Sequence, residues 1–358
     1  MPVRVLGMIG VSPPRSTTVH VIAGAISPDW IASISKAHEA AGYDEVLVGY
    51  YSSSADGFAT ALYAGTQTER LSYLLAHRPG RVLPALMARK LATLDQFLQG
   101  RLSVHIIIGG SDPEQQAEGD FLSKEERYRR GAEYLDIMRR MWTDETPLDY
   151  EGTYYRLKAA RSEVRPFQKP YPTLMFGGAS KGAMEMGAEH CDMYALFGEP
   201  LKETAEQIAV YRAHCDSFGR PARFNVSFRP IIADTEGQAW DRAHKILETV
   251  TGSGETFYKA PTSQQTGRLL EIANRGDVHD ERLWTPITAA TNATGNTTCL
   301  VGTADQVSDA LLKYYRLGVE SFLLRGFELE RDLPEFGREL IPMLREKCRQ
   351  ADAEQAPA

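Results

Sequence analysis

Residues 171–185 read YPTLMFGGASKGAME. Leu174, Met175 and Phe176 form the short apolar run of a buried parallel strand. Gly177, Gly178, Ala179 and Ser180 then turn into a segment, Lys181 to Glu189, with the pattern of a helix. A strand that ends in two glycines and a serine at a helix start outlines a phosphate cradle. Glycine lets the backbone come close, and free N–H groups at a helix N-terminus favour an anion. The same pattern also fits an ordinary strand–helix turn. The following stretch, CDMYALFGEP, reads as another strand that ends in a polar mouth.

Working outward, strands and helices alternate. Strands are expected at Val3–Met8, Asp44–Tyr50, Leu71–Ala76, Leu102–Ile108, Leu174 onward, Cys191–Phe197, Arg223–Ala233 and Ser321–Arg325. Segments of helical spacing separate them, including Asp29–Ala41, Leu83–Leu98 and the long Lys124–Trp142. A polar loop is expected over Ser12–Thr18, a turn over Gly109–Pro113, and a small hairpin in EGTYYRLKAA. Residues 251–298 break the rhythm, being rich in Gly, Ser, Thr and Asn with one plausible helix, Gln264–Asn274. Eight strands alternating with helices predict an α/β chain folded as a (β/α)8 TIM barrel with a long insertion before the last strand. The barrel is expected over residues 1–350, with 251–298 as a mobile lid, a last helix Leu333–Cys348, and 351–358 as a disordered tail.

Composition narrows the function. A net charge of −7 and the lack of a long basic run argue against nucleic acid. No run is apolar over the roughly 18 residues of a membrane span, and the N-terminus lacks the pattern of a secretion signal. The four cysteines, Cys191, Cys215, Cys299 and Cys348, lie far apart, which fits a reducing cytoplasm and neither a zinc site nor a disulfide framework. No metal site is expected, and no G-x-G-x-x-G follows a strand.

In a barrel of this kind the chemistry sits at the carboxyl ends of the strands. Alternation along the seventh strand turns Asn225, Ser227 and Arg229 inward, away from Phe224, Val226 and Phe228. Arg229 is then a candidate anchor for an anion, or a member of a structural ion network. On the fourth strand Ser103, His105 and Ile107 turn inward, with His105 a ligand contact or a satisfied core histidine. His77 and Arg78 end the third strand, Tyr50 to Ser54 follow the second, and Arg325 ends the last.

Four stretches, ARKLATLDQFLQGRLSVHIIIGGSDPEQ, EERYRRGAEYLDIMRRMW, QKPYPTLMFGGASKGAMEMGAEHCDMYALFGEP and LVGTADQVSDALLKYYRLGVESFLLRGF, resemble the luciferase-like flavin monooxygenases, nearest to the alkanesulfonate monooxygenase branch. The resemblance covers most of the chain. It implies a homodimer or homotetramer using reduced FMN (FMNH2) as a diffusible cosubstrate, supplied by a separate NAD(P)H:flavin reductase. It further implies O2-dependent oxygenation of a small organic substrate, an alkanesulfonate or related organosulfur compound, through a flavin (hydro)peroxide. Carried over by position, Gly177, Gly178, Ala179 and Ser180 hold the FMN phosphate and Tyr128 reaches it. His105 stands beside the flavin ring where many relatives have asparagine, and Ser111 lies near the ring or ribityl chain. Ser54 stands where the sulfonate enzymes carry a mouth cysteine. Their seventh-strand arginine and histidine become Ser227 and Arg229, their tyrosine after the eighth strand becomes Phe327, and their lid arginine has no clear counterpart in Thr291–Thr294. Arg229 is the expected substrate or charge-stabilising residue, with His77 or His105 moving a proton. Relatives on the same barrel transfer hydride with a deazaflavin (F420). A non-catalytic flavin-binding protein and a flavin-free lyase acting on a phosphosugar are the other readings.

Overall fold

A computed structural model describes residues 2–14, 25–108, 110–254 and 263–355. Residues 15–18 of the expected polar loop, Gly109 of the turn, 255–262 of the expected lid and 356–358 of the expected tail fall outside the described residues.

Eight parallel strands close into a barrel. They are β1 (Arg4–Ile9), β2 (Glu45–Val48), β3 (Ser72–His77), β4 (Leu102–Ile106), β5 (Leu174–Phe176), β6 (Met193–Phe197), β7 (Phe224–Ile232) and β8 (Val319–Leu324). Each pairs with the next, and β8 pairs with β1 to close the ring. Both faces of the sheet are buried, which is why the strand runs are almost continuously apolar. Leu6, Leu74, Met175, Met193 and Leu323 fill the inside. Outside, Val5, Val46, Tyr73, Leu75, Val104 and Phe176 pack in the main core with the surrounding helices. The (β/α)8 expectation holds.

The helices start where the sequence offers caps. Ser123 and Glu126 form a reciprocal capping box on helix Lys124–Thr143, and Ser180 caps Lys181–His190. The expected hairpin is present as Leu148–Glu151 paired antiparallel with Arg156–Ala160. Among the described residues, no helix is long and apolar enough to cross a membrane.

Three segments depart from expectation. The turn after β4 continues into a short helix, Asp112–Gln116. The 251–298 segment carries the expected helix, here Gln264–Arg275, but also two short strands, Val278–His279 and Leu283–Trp284, and a helical turn Pro286–Ala290. These run into a further strand, Cys299–Gly302, which pairs parallel with the second half of β7. Trp284, Ile287 and Cys299 pack there against Ala239, Ala243 and Ile246 of helix Glu236–Gly252. Finally, the C-terminal region is a helix Leu329–Glu335, a π-helical stretch Phe336–Leu340 and a helix Ile341–Gln355. Residues 351–355 of the expected tail are thus helical, with Ala351 buried.

Candidate active site

A cavity of ≈ 370 Å³ opens at the carboxyl ends of the strands. That is within the size of pockets that hold small molecules and cofactors, about 300–1,000 Å³. Met8, Leu47, Leu74, Met175 and Leu323 give it an apolar floor, and Gln264, Gln265 and Thr266 line it from the insertion.

One side is the β5 turn. Gly177, Gly178, Ala179 and Ser180 all line the cavity, as do Tyr128 and Lys124 from the start of helix Lys124–Thr143. Gly178 has φ +146°, a region that L side chains rarely adopt. A Cβ there would lie 2.9 Å from the Cβ of Ala183 and 3.3 Å from the Tyr128 hydroxyl. The Tyr194 hydroxyl donates to the Gly178 carbonyl at 3.1 Å and holds the turn in place. Ser180 accepts from the Ala183 N–H at 3.4 Å, so the helix start faces the cavity through a capped serine. Burial pushes the Tyr128 phenol up, so it is neutral and able to donate at neutral pH.

His105 faces the cavity from β4, and its Nδ1 is buried with no partner among the described residues. Burial pushes its pKa down to about 4, which keeps the ring neutral near pH 7. Ser111 also lines the cavity, as the cap of helix Asp112–Gln116.

The mouth between β2 and β3 is a charge-balanced lattice. Arg78 bonds Glu114 at 2.7 Å and Glu118 at 3.0 Å, Arg81 bonds Glu118 and Asp120, and Arg130 bonds Asp120. The Tyr50 hydroxyl donates to Glu118, the Ser52 hydroxyl to Glu114 at 2.6 Å, and the Arg78 guanidinium lies 4.8 Å from the Tyr50 ring centre. Against the desolvation that burial imposes, the Tyr50, Arg81 and Arg78 contacts hold the Glu118 carboxyl below the usual range. Three cations face three carboxylates, so the lattice fixes the loops and carries no surplus charge.

Three expected catalytic positions do not reach the cavity. His77 is in phase with Tyr73 and Leu75, on the outer face of β3, because Leu74 and Ala76 are the residues that turn inward. Its Nε2 lies 3.0 Å from the Tyr134 hydroxyl, and burial with nearby Lys90 pushes its pKa down to about 3. Ser54 closes its own turn, accepting from the Tyr51 N–H at 3.1 Å and donating to the Tyr51 carbonyl at 2.9 Å. Arg229 follows the predicted alternation but is fully buried. Its N–H bonds Thr298 in the register with strand Cys299–Gly302, its side chain donates to the carbonyls of Asn296 (3.2 Å) and Gly326 (3.1 Å), and it lies over Phe327 at 4.5 Å. The chain returning from the insertion covers it.

Arg325, Arg78, Lys124 and Asn296 line the cavity although the sequence reading gave them no role in the site. The first two were visible as polar ends of strands; Asn296 reaches the site only through the fold of the insertion, where its Nδ2 donates to the Ser227 carbonyl at 2.9 Å.

Barrel closure, an apolar cavity at the carboxyl ends and a glycine-rich turn at a helix start define a (β/α)8 barrel with a candidate ligand site at its mouth. Residues 6–321 match the model of the luciferase-like monooxygenase family, and the chain belongs to that family. Solved structures share the fold. Riboflavin lyase RcaE, solved with modified FMN and riboflavin, is 17% identical with TM-score 0.76, over 97% of this chain and 92% of that one. EDTA monooxygenase EmoA from Chelativorans sp. BNC1 is 15% identical with TM-score 0.75, over 97% and 94%. An F420-dependent secondary alcohol dehydrogenase, solved with an F420–acetone adduct, is 17% identical with TM-score 0.70, over 96% and 99%.

Proposed function

We propose that the protein is a two-component monooxygenase that takes reduced FMN from a separate NAD(P)H:flavin reductase and oxygenates a small organic substrate with O2, working as a homodimer or homotetramer. The observation that carries this reading is the Gly177–Ser180 turn, which lines the cavity at a helix start and whose Gly178 is too closely packed on Ala183 and Tyr128 to bear a side chain. In the cavity beside this turn, N–H groups of the Lys181–His190 helix start, the Tyr128 hydroxyl and the Lys124 ammonium offer partners to a phosphate. The buried, unpartnered Nδ1 of His105 suits a polar edge of a flat ring laid across the apolar floor. Bound there, reduced flavin supplies the electrons that activate O2. The protein's part is to orient the ring through His105 and Ser111, to hold the phosphate at Ser180, and to keep water out with Gln264–Thr266. A His105 held neutral by burial, with its pKa near 4, is suited to one uncharged hydrogen bond at Nδ1. An organosulfur substrate such as an alkanesulfonate belongs to this proposal.

Ser180→Asp tests it. Aspartate also caps helices well, so the fold should persist. At about 4 Å and an effective dielectric near 20, its charge opposes a phosphate by roughly 4 kcal/mol before relaxation. FMN binding should weaken by about tenfold or more while riboflavin is nearly unaffected; equal losses for both would remove the phosphate from this turn. The likeness to the F420 enzyme supports a second reading, hydride transfer with a deazaflavin. Tighter binding of F420 than FMN, with no O2 consumption, would favour it.

A further inference from the structure

Among the described residues three cations line the cavity, Arg78, Lys124 and Arg325; Lys124 lies beside the β5 turn, and Arg325 stands away from it. Arg78 is matched by Glu114 and Glu118. Arg325 has no carboxylate within ion-pair distance among the described residues: its Nη1 meets the Met8 thioether at 3.0 Å, and its Nη2 donates to the carbonyls of Gly295 and Asn296. A thioether is a weak acceptor, and carbonyls carry no net charge. Its Nε is buried with no partner. Behind it lies a second guanidinium, Arg229, fully buried and donating to the same Asn296 carbonyl. Each feels the other's charge only as repulsion, and burial with that repulsion pushes Arg229 down, while burial brings Arg325 to about 10. Arg325 therefore remains a cation near neutral pH. Burying charge without a counter-ion is costly unless something supplies one.

The barrel order says where this charge sits. Arg325 follows β8 and meets Met8 of β1, beside Tyr51 after β2. The Gly178 cradle follows β5 and is flanked by β4 and β6. In a ring of eight strands these lie across the mouth from each other, with Leu47, Leu74, Met175 and Leu323 between. The cavity thus has two polar poles and an apolar middle.

We propose that Arg325 anchors the anionic head, a carboxylate or a sulfonate, of a substrate whose apolar body lies on the cavity floor. The inference rests on the reading of this cavity as the site of a flavin and its substrate, and it replaces Arg229 by Arg325 as the residue that meets the substrate's charge. Guanidinium geometry suits either head, since both offer two coplanar oxygens to a fork of N–H donors.

The test is calorimetric titration of the protein as isolated with three probes of equal chain length: hexanesulfonate, hexanoate and 1-hexanol. Wild type should bind at least one anion about tenfold or more tightly than the alcohol, and the arm that wins identifies the head group. Arg325→Met should bring that anion to within about twofold of hexanol and leave FMN affinity within about twofold. Arg325→Lys should recover part of the preference, because the charge survives without the fork. Wild type that binds anion and alcohol alike, or neither, overturns the proposal with no variant needed. So does an Arg325→Met protein that loses FMN as severely as the anion, since the residue would then serve the cofactor. Wild type that prefers the anion but fails to bind FMN would leave the anion subsite standing and remove the flavin reading instead.

Discussion

Arg229 and Arg325 share the carbonyl of Asn296, yet only Arg325 meets the cavity. Period-two alternation correctly turned Arg229 inward, but it carries no information on what lies above the strand. Beyond Phe228, β7 leaves its pairing with β8 and pairs with Cys299–Gly302, so residue 229 sits under returning chain. The two arginines should therefore fail differently. Arg229→Met removes the buried side-chain donors to the Asn296 and Gly326 carbonyls and should cost about 1–3 kcal/mol of stability, read from denaturant unfolding. Its preference for anionic over neutral probes should stay largely intact. Loss of that preference in Arg229→Met, with its retention in Arg325→Met, would exchange the two roles. His77 carries a related lesson. A polar residue at a strand end was read as mouth-facing, although its phase with Tyr73 and Leu75 already placed it among the helices.

At the scale of elements, the eight barrel strands were legible because each is a short apolar run bounded by helical spacing, and that signal is local. The insertion was only half legible. Helix Gln264–Arg275 showed its periodicity, but Val278–His279, Leu283–Trp284 and Cys299–Gly302 are stabilised by pairing with distant chain and have no period long enough to read. Its described part makes specific contacts with the rest of the fold. Leu269 and Ile272 are buried with Ala293, Arg268 bonds the buried Glu199 at 2.6 Å, and Arg275 bonds Glu203 at 2.6 Å. The Arg268 pair is the informative one, since Glu199 is 1% exposed and would lose its counter-charge. Arg268→Ala should speed hydrogen exchange of the amides in 264–275 by about tenfold or more, and Arg268→Lys should restore part of the protection. Unchanged exchange would mean that the Leu269 and Ile272 packing alone holds this helix over the cavity.

At the scale of the whole molecule, four histidines among the described residues are held neutral. His38, His105 and His190 are pushed down to about 4 and His77 to about 3, in each case chiefly by burial. The sign of the linkage follows. As pH falls below about 6.5 the unfolded chain takes up these protons, while the folded chain excludes them until pH 4 or lower. The stability they contribute is complete above about pH 6.5 and is lost progressively down to pH 3–4. Buried carboxyls work in the opposite direction: desolvation raises Glu45, Asp95 and Asp332, so the folded state binds their protons first. The total slope is a sum of opposing sites, and a single-site difference isolates one of them. His77→Gln suits this purpose, because glutamine can still bond the Tyr134 hydroxyl and lies outside the cavity. Unfolding free energies of wild type and variant, measured from pH 7.5 to 4.5, should differ in slope by one proton, about 1.4 kcal/mol per pH unit once the unfolded histidine is charged. The variant should be the less acid-sensitive of the two, whatever its stability at pH 7.5. Parallel profiles would mean that His77 titrates freely in the folded protein, and that the β3–helix interface admits a charge its packing was argued to exclude.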